Sequence, residues 1–199
     1  MTNQIMSNQI IENYKADAIA TFRNYKLMAE KSVAQISDDE FFHLTDAKSN
    51  SVAIMVKHIA GNLTSRFTDF LTTDGEKPSR NRDGEFDSEN DSRESLMKFW
   101  EQGWQVLFDS IEPLTVEDFA KSVPIRGQPH TICEAINRQM THYAYHIGQI
   151  AFLAKHFRAK DWKTLSVPRG QSGEFNAYLT ENKDKAHYLD ATQDFADKK

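Results

Sequence analysis

Four long stretches of the sequence carry apolar residues at helical spacing, and this periodicity limits the fold more than any other feature. In the first stretch, about residues 4–31, they include Ile10, Ile11, Tyr14, Ala18, Phe22, Tyr25, Leu27 and Met28. Stretches with similar spacing follow at residues 50–75, 91–113 and 131–156. Alternating apolar and β-branched runs, which indicate half-buried strands, are almost absent. The sequence therefore predicts an all-α protein, a four-helix bundle with long connections and short extra helices.

Capping residues predict where two of these helices begin and end. Asn50 or Ser51 is a candidate N-cap of the second helix, and Gly75 is placed to end it in a left-handed turn. Thr131 and Glu134 have the spacing of a capping box, in which each side chain binds the other residue's backbone amide. The fourth helix is therefore expected to begin just after Thr131.

The segments between the predicted helices differ in length and character. Residues 74–91, which include "EKPSRNRDGEFDSEN", are polar, contain Pro and Gly, and predict an unusually long loop. "PIRGQPH", at residues 124–130, predicts a short connection, and the charged residues from about 183 to 199 predict a fraying tail. Because the chain has 199 residues, we expect one domain over 1–199.

Composition excludes several functional classes. The net charge of −5 and pI of about 5.8 argue against a nucleic-acid partner, which would require clustered Lys and Arg. The opening residues have no basic segment followed by an apolar run, and no later run is long enough to cross a bilayer. The single cysteine, Cys133, cannot form an internal disulfide and suits a reducing compartment. We therefore expect a cytoplasmic protein with no membrane partner.

Two histidines lie four residues apart in the fourth predicted helix, His142 and His146 in "THYAYHIGQI". This spacing puts both imidazoles on one face, where they can bind one metal ion, and His58 in the second helix is the candidate third ligand. The alternative is that they are core histidines with hydrogen-bond partners. Tyr143 follows His142 where a zinc protease would have Glu, which excludes that class. Asn62, four residues after His58, either donates a hydrogen bond beside the histidines or caps a local backbone group.

Arginines in the connections are candidate ligands for an anionic substrate or cofactor. The guanidinium fork matches a carboxylate or a phosphate, and the residues concerned are Arg80, Arg82, Arg126 and Arg169. The alternative is that these arginines pair with Asp83 and Glu85 and only hold the loops in place. Convergence of the arginines on the histidines would separate the two interpretations.

The motifs "VKHIAGN" and "HYAYHIGQIAFL" resemble, in their order and position, the DinB-like superfamily of bacterial metal-binding four-helix-bundle proteins, over nearly the whole chain. Within that superfamily, "HIAGNLTSRFTDFLTTDGEKPSRNRDGEF", "IRGQPHT" and "PRGQS" look like a branch catalogued as a domain of unknown function. The resemblance implies a divalent ion, Zn²⁺ or Ni²⁺, on His58, His142 and His146. The branch is also similar in layout to thiol-dependent transferases and isomerases, which implies a low-molecular-weight thiol as a second cofactor.

Two functional classes remain open at this point. The first is a metal-dependent enzyme, such as a thiol S-transferase that acts on a small and anionic electrophile. The second is a non-catalytic metal-binding stress or interaction protein, with a homodimer as one form of assembly. An open coordination position that faces a cavity would favour the enzyme, and a closed, fully coordinated ion would favour the second class.

Overall fold

The computed structural model describes residues 2–183 and 187–198, which are mostly helical. Their seven α-helices are α1 Thr2–Val33, α2 Asp38–Phe42, α3 Val52–Phe67, α4 Arg93–Ile111, α5 Ile132–Arg158, α6 Ser172–Glu181 and α7 Tyr188–Asp197. They also contain one antiparallel sheet of two strands, β1 Ser122–Ile125 and β2 Gln128–Thr131. No helix within the described ranges combines the length and apolar character that a membrane span requires.

The four long helices bury their apolar stripes against one another. The most extensive packing joins α3 to α4 and α1 to α5. Gly103 of α4 allows the close approach of α3, because a Cβ there would lie 3.0 Å from the carbonyl oxygen of Ala60. Three fully buried aromatic rings, from α1, α4 and α5, form the centre of this core, with centroids 5.7–6.3 Å apart: Phe22, Trp104 and Tyr143.

The helix that carries His58 begins as predicted and ends earlier. Ser51 is the N-cap of α3, and its side chain accepts a hydrogen bond from the backbone amide of Ile54. The predicted end at Gly75 is wrong, because α3 stops at Phe67. Asp69, with φ of 49°, takes the left-handed conformation that was expected of Gly75. Gly75 instead donates its amide to the Pro124 carbonyl oxygen at 2.9 Å, so it joins the loop to β1.

The predicted connection at residues 124–130 is a β-hairpin. Arg126 and Gly127 form its two-residue turn with φ of 54° and 72°, the positive values that a type I′ turn requires. Two prolines argue against a strand in the sequence, yet Pro124 faces Pro129 across the sheet. In an antiparallel ladder, hydrogen-bonded and non-hydrogen-bonded residue pairs alternate. Ile125 and Gln128, next to the turn, form a hydrogen-bonded pair, so Pro124 and Pro129 form a non-hydrogen-bonded pair, which needs no amide donor. The hairpin leads directly into α5, which starts after the predicted capping box of Thr131.

The C-terminal segment is more ordered than the charged sequence predicted. Residues 188–197 form α7 instead of fraying, and Ala191 and Phe195 are almost fully buried. Phe195 packs edge-on against Phe175 of α6 with centroids 5.2 Å apart, and Gln193 donates to Asn24 of α1 at 3.1 Å. These contacts attach α7 to α6 and α1 despite the high charge of the segment. Residues 184–186 and 199 of the predicted tail lie outside the described residues.

Candidate metal centre

Three histidines from two helices meet at one point. His58 of α3 and His142 and His146 of α5 each offer a ring nitrogen, and these nitrogens all lie within 4.8 Å of one another. The Nε2 atoms of His58 and His142 are 3.2 Å apart. Two ligands at about 2.0–2.1 Å from one tetrahedral ion are separated by about 3.4 Å, so this spacing suits a shared metal. The structure therefore brings the predicted triad together in an arrangement that could hold an ion.

A buried carboxylate orients His58. Its Nδ1 lies 2.8 Å from Glu85 Oε2, so that Nδ1–H donates to the carboxylate and Nε2 keeps its lone pair for a metal. Arg80 binds the same carboxylate twice, Nε to Oε1 at 2.7 Å and Nη2 to Oε2 at 2.8 Å. Gly61 makes room for this carboxylate, since a Cβ there would overlap Glu85 Oε1.

Glu85 is a candidate functional residue whose place beside the histidines sequence reasoning missed. The sequence indicated Glu85 only as a partner for the arginines of the loop. Burial raises the pKa of Glu85, but the hydrogen bonds from His58 and Arg80 and the charges of these residues lower it by a larger amount. The net effect is a pKa below the usual value. Glu85 therefore stays ionised at neutral pH. It lies 27 residues from His58, and no local pattern connects the two.

The two histidines of α5 are held in the neutral form. Burial, with nearby histidine and arginine charges, lowers the pKa of His142 from 6.5 to about 3. Burial and the His58 charge lower the pKa of His146 to about 4, despite a hydrogen bond with Gln149 that raises it. Gln149 Oε1 lies 2.9 Å from His146 Nδ1, which can donate to it and leave Nε2 free. Neutral imidazole is the form that binds metals, so the donor set fits a divalent ion.

A cavity of about 360 Å³ opens beside the triad, lined by His58 and His142. Five arginines also line it: Arg66, Arg80, Arg82, Arg126 and Arg138. Three of them were predicted, and the exposed Arg169 does not line this cavity. Arg66 and Arg138 were missed, although helical spacing could have found both. Arg66 follows His58 by eight residues and Arg138 precedes His142 by four, so each shares a helix face with a histidine.

Glu76 and Asp74 connect the arginine of α3 to the arginine of the hairpin turn. Glu76 Oε2 accepts from Arg66 Nη2 at 2.9 Å and from Arg126 Nε at 3.0 Å. Asp74 accepts the two backbone amides of the hairpin turn at residues 126–127, at 2.9 and 2.7 Å. The loop after α3 therefore holds the hairpin tip against α3, and this contact brings Arg126 to the cavity.

A second and larger cavity of about 950 Å³ does not contain the triad. Arg80 and Glu85 line it together with residues of α3 and the long loop, including Lys57 and Lys77. None of the three histidines borders it. The smaller cavity borders two of the candidate ligands, His58 and His142, so we assign it to the candidate metal centre.

Two further residues that the sequence singled out have structural partners. Asn62 Oδ1 accepts a hydrogen bond from the hydroxyl of buried Tyr143 at 2.9 Å, so the side-chain oxygen acts as an acceptor in the cavity wall. Cys133 is partly buried, and burial and the nearby Glu134 charge raise the pKa of its thiol. Cys133 therefore stays protonated at neutral pH and is not an activated nucleophile.

Comparison with known proteins identifies a family and no closer relative. A family model described as "Protein of unknown function (DUF1572)" matches residues 9–171. No curated protein and no solved structure gave a significant match. The matched region contains the three histidines, Glu85 and all five arginines of the cavity. Because the match spans most of the chain, the protein belongs to the DUF1572 family.

Proposed function

We propose that this protein is a divalent-metal-dependent enzyme of the DinB-like superfamily, with Zn²⁺ or Ni²⁺ held by His58, His142 and His146. The observation that carries the proposal is the convergence of three imidazoles beside a cavity. In this proposal the four long helices form the DinB-like four-helix bundle. Three protein ligands leave one position of a tetrahedral ion for substrate, whereas structural sites supply all four ligands.

The reaction that we favour is transfer of a low-molecular-weight thiol to a small electrophile. A bound divalent ion would lower the pKa of a thiol or a water and so supply a nucleophile near neutral pH. Hydrolysis usually also needs a general base, and no Asp or Glu is among the described residues that line the cavity. Glu85 is already engaged by His58 and Arg80. This distribution of carboxylates supports transfer over hydrolysis.

Each residue of the site has a separate role in the proposed enzyme. Glu85 holds His58 in the tautomer whose Nε2 can bind a metal, and Gln149 does the same for His146. The arginines bind the anionic part of the substrate or thiol and keep it beside the triad. A homodimeric assembly and a cytoplasmic location stay predictions.

The test begins with metal analysis of protein purified without a histidine tag. We expect about one equivalent of a divalent metal, lost in His142→Ala and retained in His156→Ala, which removes an exposed histidine from the same helix. The same proteins are then assayed with glutathione or cysteine and a chromogenic halodinitrobenzene, in which a carbon–sulfur bond replaces the carbon–halogen bond. Metal-dependent turnover supports the enzyme. Metal without turnover over a panel of thiols and electrophiles would favour the non-catalytic class, and absence of metal would refute the proposal.

A further inference from the structure

We infer that the arginine-lined cavity beside the triad binds a small dianion, a molecule with a phosphate monoester or two carboxylates, held mainly by Arg82 and Arg138. The inference rests on the proposed function in that it names the substrate class of the same site. It also goes further, because it assigns the binding groups to two arginines with different positions in the fold. Arg82 belongs to the long loop, and Arg138 belongs to α5.

The charges around the cavity are strongly unbalanced. Five guanidinium groups line it, and two carboxylates bind members of this set, Glu76 and Glu85. Guanidinium charges therefore exceed carboxylate charges by three. Neither carboxylate lines the cavity itself, so the positive charge faces the open space. A chain with an overall charge of −5 concentrates positive charge here against its own average, which indicates a specific anion and not a general affinity for polyanions.

Two of the arginines have guanidinium groups that are free to bind a ligand. Among the described residues, no carboxylate lies within ion-pair distance of Arg82 or Arg138. Arg82 instead lies over the ring of Phe86 at 5.2 Å, and the same ring lies 5.2 Å from that of His58. Stacking on an aromatic ring leaves the N–H groups of a guanidinium available. Phe86 therefore holds Arg82 next to the metal ligand without neutralising it.

Arg66 is a further sign that the guanidinium groups in the cavity wall are incompletely paired within the protein. Its side chain is almost fully buried in the cavity wall, with 6% exposed, and it donates to the Gly75 carbonyl oxygen and to Glu76. Its Nε nevertheless has no hydrogen-bond partner among the residues that the structure describes. A buried N–H of a charged group without a partner is costly, so the residues around Arg66 do not fully compensate its guanidinium group.

The size of the cavity and the number of free arginines define the ligand class. A volume of about 360 Å³ is at the small end of ligand sites and suits a small molecule. Each guanidinium fork pairs with one oxyanion group, and two forks without a carboxylate partner match two negative charges. The ligand is therefore a small dianion whose remaining atoms reach the open side of His58 and His142.

Calorimetric titration of the full chain with inorganic phosphate, succinate and acetate, at constant ionic strength, tests this inference. We expect phosphate or succinate to bind at least about tenfold more tightly than acetate, and the preferred one identifies the oxyanion group. Arg82→Met and Arg138→Met should each weaken that binding about tenfold or more, since a charge-assisted hydrogen bond contributes about that much. Neither arginine forms an ion pair with another described residue, so both variants should fold, which circular dichroism checks.

The matched control is Arg158→Met, which removes the same charge from the end of α5 outside the cavity. It should change the affinity less than about twofold. Equal affinities for acetate and the dianions, or equal losses in all three variants, would overturn the inference. The titrations are run on metal-free and zinc-loaded protein. A protein that binds no metal and still binds the dianion through Arg82 and Arg138 refutes the proposed function alone. A dianion that binds only with zinc and is insensitive to both arginines refutes this inference alone.

Discussion

Replacing Glu85 by Gln should weaken both the fold and the metal site, because one carboxylate serves both. The substitution keeps the shape of the side chain and an acceptor for His58, but it removes the charge and puts an NH₂ group in place of Oε1, opposite Arg80 Nε. The Arg80 side chain is 4% exposed, and its other carboxylate, Glu76, is 3.7 Å away, so it would be left largely uncompensated. Breaking such a buried pair costs about 3–5 kcal/mol. Loss of the group that orients a ligating histidine costs about 10–100-fold in metal affinity.

The assay measures urea unfolding of the metal-free protein and zinc affinity by competition with a chelator. Asp83→Asn is the matched control, since it also replaces a carboxylate by an amide, at an exposed position of the short 3₁₀ helix Asp83–Phe86 that contains Glu85. We expect the control to remain within about 0.5 kcal/mol of wild type. If Glu85→Gln unfolds at the same urea concentration as the control and binds zinc equally well, Glu85 is neither the partner of Arg80 nor the residue that orients His58.

Three other predictions concern the triad and its support. Metal bound only by the folded state adds about 2.7 kcal/mol at a hundredfold excess over Kd, so a chelator should lower the melting temperature of the wild type and leave that of His142→Ala unchanged. Gly61→Ala should displace Glu85 and weaken zinc binding. At Gly148 of α5 an added Cβ would contact no other atom, so Gly148→Ala should stabilise the protein by about 0.5–1 kcal/mol. The folded-state pKa values of His142 and His146, about 3 and about 4, lie below 6.5, so the unfolded chain takes up their protons first. Metal-free protein should therefore lose stability as the pH falls from about 6.5 towards 4, and a flat urea midpoint over this range would contradict these pKa shifts.

Much of the helical structure could be predicted from the sequence, because its determinants are local. An apolar stripe repeats every three or four residues, and a capping box spans four, so α1, α4 and α5 were found close to their observed bounds. The same helical period put His142 and His146 on one face. The end of α3 was predicted incorrectly. Asp69, not Gly75, takes the left-handed conformation, and Gly75 instead bonds to the hairpin, a contact between segments that are far apart in the sequence.

Only the tertiary structure decided which loop residues meet the triad. Glu85 reaches His58 because the long loop folds back over α3, and Arg126 reaches the cavity because Asp74 binds the hairpin turn. The same chain path leaves Arg169 outside, although its sequence context resembles that of Arg126. Helical spacing relates residues within one element, whereas a loop residue's neighbours depend on hydrogen bonds and ion pairs between segments far apart in sequence. Local helical patterns therefore indicated the histidine pair on α5 and could have indicated Arg66 and Arg138, whereas no local pattern indicated Glu85 or the approach of Arg126 to the cavity.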